Sequence, residues 1–259
     1  MKILIVSGFL GAGKTTFIKR LARNVDQRFA ILENEYGAAG IDGARLGQNR
    51  QGTQKNVWEM TEQCICCIGK KDFAASVLTI ANVVDPEYLI VEPTGVGSLA
   101  RIIENLRQIE YERIQLLSPV TIVDVYSYRR YMAEYPELYQ DQIRSADTII
   151  VSKTEACQAE EKQRIQKFLQ EINSQAKIIT DYASTMTRED YQSLLLGGRY
   201  EKEVQDTQSG EKMPETFSFE NIRMEAPETL WCFLEQIIRG AFGNIIREKG
   251  QFAAGDQFL

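Results

Sequence analysis

Short, unbroken apolar runs alternate along the chain with longer stretches in which apolar residues recur every three or four positions. Residues 3–6, 29–32, 88–91, 120–123, 148–151 and 177–179 are of the first kind and predict strands buried on both faces. Residues 15–24, 72–82, 98–107 and 159–172 are of the second kind and predict helices. In the last of these Ile165, Phe168, Leu169 and Ile172 line one face, and charges fill the other. Strands alternating with helices mean βαβ units, so the expected fold class is α/β, with a mostly parallel sheet covered by helices on both faces. From Leu196 to Glu215 the periodicity stops, and the polar, glycine-containing sequence reads as a linker or loop. Beyond it, strands at 217–219 and 245–246 flank a helix through Leu230, Phe233, Leu234, Ile237 and Ile238, which predicts a small α+β piece. The expected division is 1–196, a connecting stretch at 197–215, and 216–259.

Composition narrows the function classes. The 259 residues carry 30 Lys+Arg against 36 Asp+Glu, a net charge of −6. That balance speaks against a general nucleic-acid binder or a basic membrane-surface protein. No stretch is apolar and long enough for a membrane span, and the run after Lys2 stops at Ser7-Gly8, too early for a signal peptide. The expected location is the cytoplasm. Five cysteines, three of them crowded together, do not form the pattern of a secreted disulfide framework. There is no histidine. Any metal site must use Cys, Asp, Glu or backbone oxygen, and no imidazole can serve as a base.

The first predicted strand runs into Gly8-Phe9-Leu10-Gly11-Ala12-Gly13-Lys14-Thr15-Thr16, which fits G-x-x-x-x-G-K-[ST] between a strand and a helix. Glycines let backbone N–H groups close around phosphate oxygens, so Gly8, Gly11, Ala12, Gly13, Lys14, Thr15 and Thr16 are candidate nucleotide contacts. Lys14 would sit near the β- and γ-phosphates, and the Thr15 hydroxyl would ligate Mg²⁺. The strand at 88–91 ends in Glu92-Pro93-Thr94-Gly95, where Glu92 can hold Mg²⁺ through its water shell and the Gly95 N–H can sense the γ-phosphate. The strand at 148–151 ends in Ser152-Lys153-Thr154-Glu155, a partial match to the guanine-reading N-K-x-D. There Glu155 would accept two hydrogen bonds from the base and Lys153 would pack along the ring, which points to GTP ahead of ATP.

Cys64-Ile65-Cys66-Cys67 gathers three thiols into four residues, a soft donor set suited to Zn²⁺ or Cu(I). Adjacent Cys66 and Cys67 need a turn to face one ion, and a carboxylate could complete a tetrahedron. The other reading is three small buried hydrophobes. Cys157 and Cys232 stand alone and read as ordinary core or surface residues.

Taken together, these parts make the sequence resemble the CobW-type P-loop GTPases, relatives of the UreG and HypB nickel-delivery GTPases. The resemblance is carried by GFLGAGKTT at 8–16, ENEYG at 33–37 with Gly40-Ile41-Asp42, CICC at 64–67, EPTG at 92–95 and SKTE at 152–155, with IIREKG at 245–250 similar to a strand of the family's C-terminal domain. It implies Mg-dependent GTP hydrolysis coupled to binding and delivery of zinc or cobalt, or to assembly of a cobalamin-type metal cofactor. It also implies metal positions at Glu33, Cys66 and Cys67, with Cys64 completing the motif, and an acidic first-switch residue at Asp42. The implied partners are a nucleotide, a metal ion and a client metalloprotein or cofactor-synthesis enzyme, without nucleic acid or membrane; an oligomer is compatible. Three departures stand out: Glu62-Gln63 before the first Cys in place of the usual Asn-Gly, the altered guanine motif, and a shortened C-terminal segment without His-rich tracts. Two readings from other classes remain open. One is an ATP-dependent P-loop enzyme or kinase, for which Arg129-Arg130 is the only adjacent arginine pair available to a lid. The other is a thiol-based metal or redox sensor.

Overall fold

The computed structural model describes residues 1–27, 29–35, 57–63, 70–204, 223–224, 226–243, 245–246, 253–254 and 257–258. Eight strands make one sheet: β1 (Lys2–Gly8), β2 (Phe29–Glu35), β3 (Val57–Gln63), β4 (Tyr88–Glu92), β5 (Gln115–Leu116), β6 (Val120–Asp124), β7 (Thr148–Ser152) and β8 (Lys177–Ile179). Their order is β3-β2-β4-β1-β6-β7-β8, with β5 beside β1, and every pair in this sheet is parallel. Parallel strands need crossovers, and the helices that supply them cover both faces. These are α1 (Lys14–Asn24), α2 (Lys70–Val83), α3 (Leu99–Arg107), α4 (Tyr128–Glu134), α5 (Pro136–Arg144), α6 (Ala159–Ile172), α7 (Tyr182–Thr185) and α8 (Arg188–Leu196).

Strand β1 lies at the centre and serves both cores. Ile3 and Ile5 pack with Phe73, Val77 and Ile80 of α2 and with α3, whereas Leu4 and Val6 pack with Phe17, Ile18 and Leu21 of α1 and with Tyr191 and Leu195 of α8. All four β1 side chains are wholly buried, which contributes roughly 6–12 kcal/mol of gross transfer free energy before chain entropy is set against it. A third cluster joins α4, α5 and α6 to β6 and β7. The first crossover leads from β1 out to β2, whereas the chain returns through β4 to the far side at β6, so the strand order reverses around β1. A ligand crevice opens at such a reversal, beyond the carboxyl ends of the strands.

The α/β class holds, and several boundaries move. Strand β3 was not expected, because an edge strand with the mixed sequence VWEMTEQ needs no continuous apolar run. Helices α4 and α5 were also missed, although Tyr128, Tyr131, Tyr135 and Tyr139 step by three and four. The polar stretch after Leu196 does not leave the body at once: Arg199 bridges Leu117, and buried Tyr200 donates its phenol O–H to the Ser145 carbonyl at 2.9 Å. Helix α9 (Pro227–Ile238) matches the expected C-terminal helix. The flanking strands differ from expectation. Residues 217–219 lie outside the described residues, and Ile245-Ile246 is not a strand. A small sheet instead joins β9 (Arg223–Met224), β10 (Ala253–Ala254) and β11 (Gln257–Phe258), with β10 parallel to β9 and antiparallel to β11.

Candidate functional site

The loop between β1 and α1 is shaped by three glycines in the left-handed or neighbouring positive-φ region, with φ of 142° at Gly8, 71° at Gly11 and 98° at Gly13. Gly8 also has no room for a side chain, since a Cβ there would lie 2.4 Å from the Ile122 carbonyl oxygen of β6. Gly13 stands at the N-cap of α1, so the N–H groups of the helix's first turn and its positive dipole end face the loop. Lys14 is buried and donates to the carbonyls of Gly8, at 2.9 Å, and Phe9, at 3.4 Å. Its ammonium is thereby folded into the ring of backbone that the glycines make. Ala12 is buried behind the loop, whereas Gly11 and Thr16 are exposed.

Across the crevice the Thr15 hydroxyl donates to both Glu92 carboxylate oxygens, at 2.9 and 3.2 Å. Glu92 ends β4, and its register partner on β2 is Glu33. Both follow core positions, Ile90 and Ile31, on the α1 face of the sheet, so the two carboxylates stand side by side on neighbouring strands. A hydroxyl and carboxylates are hard oxygen donors, the set that suits Mg²⁺. Gly95 presses onto the phosphate loop: a Cβ there would meet the Leu10 nitrogen at 2.5 Å and its Cα at 2.8 Å.

Strands β6 and β7 supply the third wall. Ser152, which stands where the guanine motif has Asn, donates its hydroxyl to the Ala12 carbonyl at 2.6 Å and so ties β7 to the phosphate loop. Lys153, with φ of 61°, is half exposed and donates to buried Asp124 at 2.7 Å. Asp124 also accepts the Tyr126 N–H at 2.8 Å and the Ser127 hydroxyl at 3.0 Å. Thr154 is buried and bonds Asp181 in the loop after β8, and Lys162 donates to the same carboxylate at 2.5 Å. The Lys162 hydrogen bond, together with that from Thr154, outweighs desolvation and holds the Asp181 carboxyl below its usual range. Glu155 is exposed at the rim.

The structure thus brings together Gly8, Gly11, Ala12, Gly13, Lys14, Thr15, Thr16, Glu92 and Gly95, places Glu33 beside Glu92, and sets Lys153 and Glu155 on the far wall. Asp42, Cys64, Cys66 and Cys67 lie outside the described residues. Sequence reasoning missed Asp124 and Gln142, although an acidic residue closing a buried strand, as in VTIVD, is the same signal that marked Glu92. Arg129 and Arg130, the pair considered for a lid, are engaged by Glu161 and Glu134 on the outside of the hairpin.

The family model of the CobW/HypB/UreG nucleotide-binding domain matches residues 2–180. Among curated relatives, the zinc chaperone YeiR of Escherichia coli is 30% identical over 178 residues, covering 68% of this chain and 53% of that protein. The zinc chaperone CobW of Pseudomonas aeruginosa is 27% identical, covering 69% and 56%. The chain spans about half the length of the curated relatives it matches. Among solved structures, the Zn(II)-bound YjiA GTPase from E. coli aligns over 93% of this chain and 79% of its own, with a TM-score of 0.57 and 18% identity. HypB from Archaeoglobus fulgidus aligns over 76% and 89%, with a TM-score of 0.50 and 18% identity. At that identity the two structures speak for the shared fold.

Proposed function

The chain belongs to the CobW/HypB/UreG nucleotide-binding family, and from that premise we propose that it hydrolyses GTP with Mg²⁺ and couples the cycle to binding and handing over a transition metal. The observation that carries the nucleotide half is the meeting of Thr15 and Glu92 beside a glycine ring that encloses the Lys14 ammonium. Thr15 and Glu92 would hold Mg²⁺, whose positive charge would offset the charge that develops on the phosphates. The Thr15 hydroxyl would then turn from Glu92 toward the ion, and Glu92 would hold the ion's water shell. Lys14 would exchange the Gly8 and Phe9 carbonyls for phosphate oxygens. Helix α1 would favour the anion with its N-terminus, and the Gly95 N–H would face the γ-phosphate. With no histidine in the chain, the attacking water would be activated by position and charge rather than by an imidazole base.

Guanine is the base favoured by the Glu155 carboxylate, and ATP is the alternative that the Ser152 and Glu155 substitutions keep in view. For the cargo, the relatives named zinc chaperones support zinc ahead of cobalt or a cobalamin-type product. Glu33, Cys64, Cys66 and Cys67 are the proposed ligands. Supporting this, β3 delivers Gln63, the residue before Cys64, to the same end of the sheet as Glu92, two strands away and so about 10 Å across. A client metalloprotein or cofactor-synthesis enzyme would receive the metal. Phosphate release from GTP and Mg²⁺ without any acceptor, together with about one zinc retained per chain under reducing conditions, is the expected result. Phosphate transfer only to an added acceptor would move the reading to a kinase, and loss of zinc under reduction would move it to a thiol sensor.

A further inference from the structure

The hairpin of α4 and α5 touches the candidate site at two places that the chemistry above does not use. From α4, Tyr131 donates its phenol O–H to the Leu10 carbonyl at 3.2 Å, and its ring centroid lies 4.2 Å from that of Phe9. Tyr135 and Tyr139 close around the same Phe9 ring at 5.4 and 5.8 Å. The phosphate loop is therefore anchored to the hairpin by two consecutive residues.

From α5, buried Gln142 donates its amide nitrogen to the Gly95 carbonyl at 3.1 Å and to the Gly97 carbonyl at 3.0 Å. Both partners are acceptors, so only the NH₂ end of the amide can face them and its orientation is fixed by the chemistry. The residue before it, Asp141, accepts the backbone N–H groups of Leu99, at 2.7 Å, and Ala100, at 3.4 Å, at the start of α3. The Thr121 hydroxyl donates to the Gln142 main-chain carbonyl at 2.8 Å and locks α5 to β6. The loop from Thr94 to Gly97 is thus gripped from behind by one side chain while Gly95 rests on Leu10 in front. Glycine has the widest backbone freedom of any residue, and this loop holds two of them. Holding both glycine carbonyls removes that freedom at the position expected to meet the γ-phosphate.

We propose that Gln142 is a positioning residue for the triphosphate state: its amide holds the Gly95–Gly97 backbone in the course that presents the Gly95 N–H to the γ-phosphate. The α4–α5 hairpin, which holds Phe9 and Leu10 as well, is then the frame that keeps the γ-phosphate loop in register with the phosphate loop. This assignment rests on the nucleotide reading given above.

The test compares affinities of the full chain for GDP and for a non-hydrolysable GTP analogue, both with Mg²⁺, alongside steady-state GTP hydrolysis. Gln142→Met keeps the length of the side chain and removes its donors; Gln142→Glu keeps the shape and places an acceptor against two carbonyls. In both variants GTP-analogue affinity should fall at least fivefold with GDP affinity within twofold of the unaltered chain, and kcat should fall more than KM rises. Thr121→Val, which loosens α5 without touching the amide, should leave the ratio of the two affinities unchanged. An unaltered ratio in both Gln142 variants, an equal loss for both nucleotides, or a ratio shifted as strongly by Thr121→Val would overturn the assignment alone. Failure of the unaltered chain to bind either nucleotide would overturn the nucleotide reading and the assignment with it.

Discussion

The glycine loop after β1 and the Ser152–Glu155 loop after β7, proposed to meet the base, end two strands of one sheet, yet they are held in different ways. At the end of β1 the constraints are backbone: positive φ at three glycines, a Gly8 Cα pressed against Ile122, and a lysine buried among carbonyls. At the end of β7 the constraints are side chains: Ser152 on Ala12, Lys153 on Asp124, and Thr154 with Lys162 on Asp181. Backbone close approach allows no substitution. Side-chain tethers allow exchange, and this chain carries Ser and Glu where the guanine motif has Asn and Asp.

Substitutions should divide along this line. The largest effect belongs to Gly8→Ala, where positive φ and a 2.4 Å approach to backbone combine. It should destabilise the fold by about 3 kcal/mol, lowering the melting temperature by about 10 °C, and abolish nucleotide binding. An unchanged melting curve would mean that the loop has slack the comparison denies. Lys14→Ala comes next. The glycine geometry remains, so the melting temperature should hold within a few degrees while GTP affinity drops by at least about a hundredfold, or 2.7 kcal/mol. Near-normal affinity measured by calorimetry would remove Lys14 from the phosphate site.

At the base end the effects should be smaller. GTP should bind at least tenfold more tightly than ATP, about 1.4 kcal/mol, and Glu155→Asp should preserve or sharpen that preference. Equal affinities in the unaltered chain would make this an ATP-dependent protein. Smallest of all is Lys162→Met, which removes a partner that holds the Asp181 carboxyl low. A depressed carboxylate stabilises the fold above its unfolded value near 3.9 and loses that contribution as pH falls through the folded value. The variant should therefore be less stable by under about 1 kcal/mol at neutral pH, with the difference shrinking as pH falls below the usual carboxylate range in denaturant titrations. A difference that grows in acid would contradict the pairing.

What was legible in the sequence follows the same division. The continuous runs of β1, β4, β6 and β7 are buried on both faces and announce themselves, as does a loop whose glycines are required by sterics. Strand β3 lies at an edge, where burial does not demand an apolar run, and the tyrosines of α4 and α5 look like surface residues until Phe9 is seen among them. Gln142 carries no motif at all, and Asp124 carries only the weak signal of an acidic residue closing a buried strand. They act on Lys153 and on two glycine carbonyls that are distant in sequence, and only the folded chain brings those groups within reach.

The proposed linkage between a nucleotide's γ-phosphate and a soft metal can be measured. By reciprocity, the factor by which nucleotide changes metal affinity must equal the factor by which metal changes nucleotide affinity. Zinc affinity should be determined by competition with a chromogenic chelator, under reducing conditions, with the chain loaded with GDP or with a non-hydrolysable GTP analogue. About one zinc per chain is expected, with at least a fivefold difference between the two states, about 1 kcal/mol of coupling, lost together with the zinc in the Cys66→Ala, Cys67→Ala double variant while nucleotide binding persists. Identical zinc affinity in the two nucleotide states would contradict the linkage.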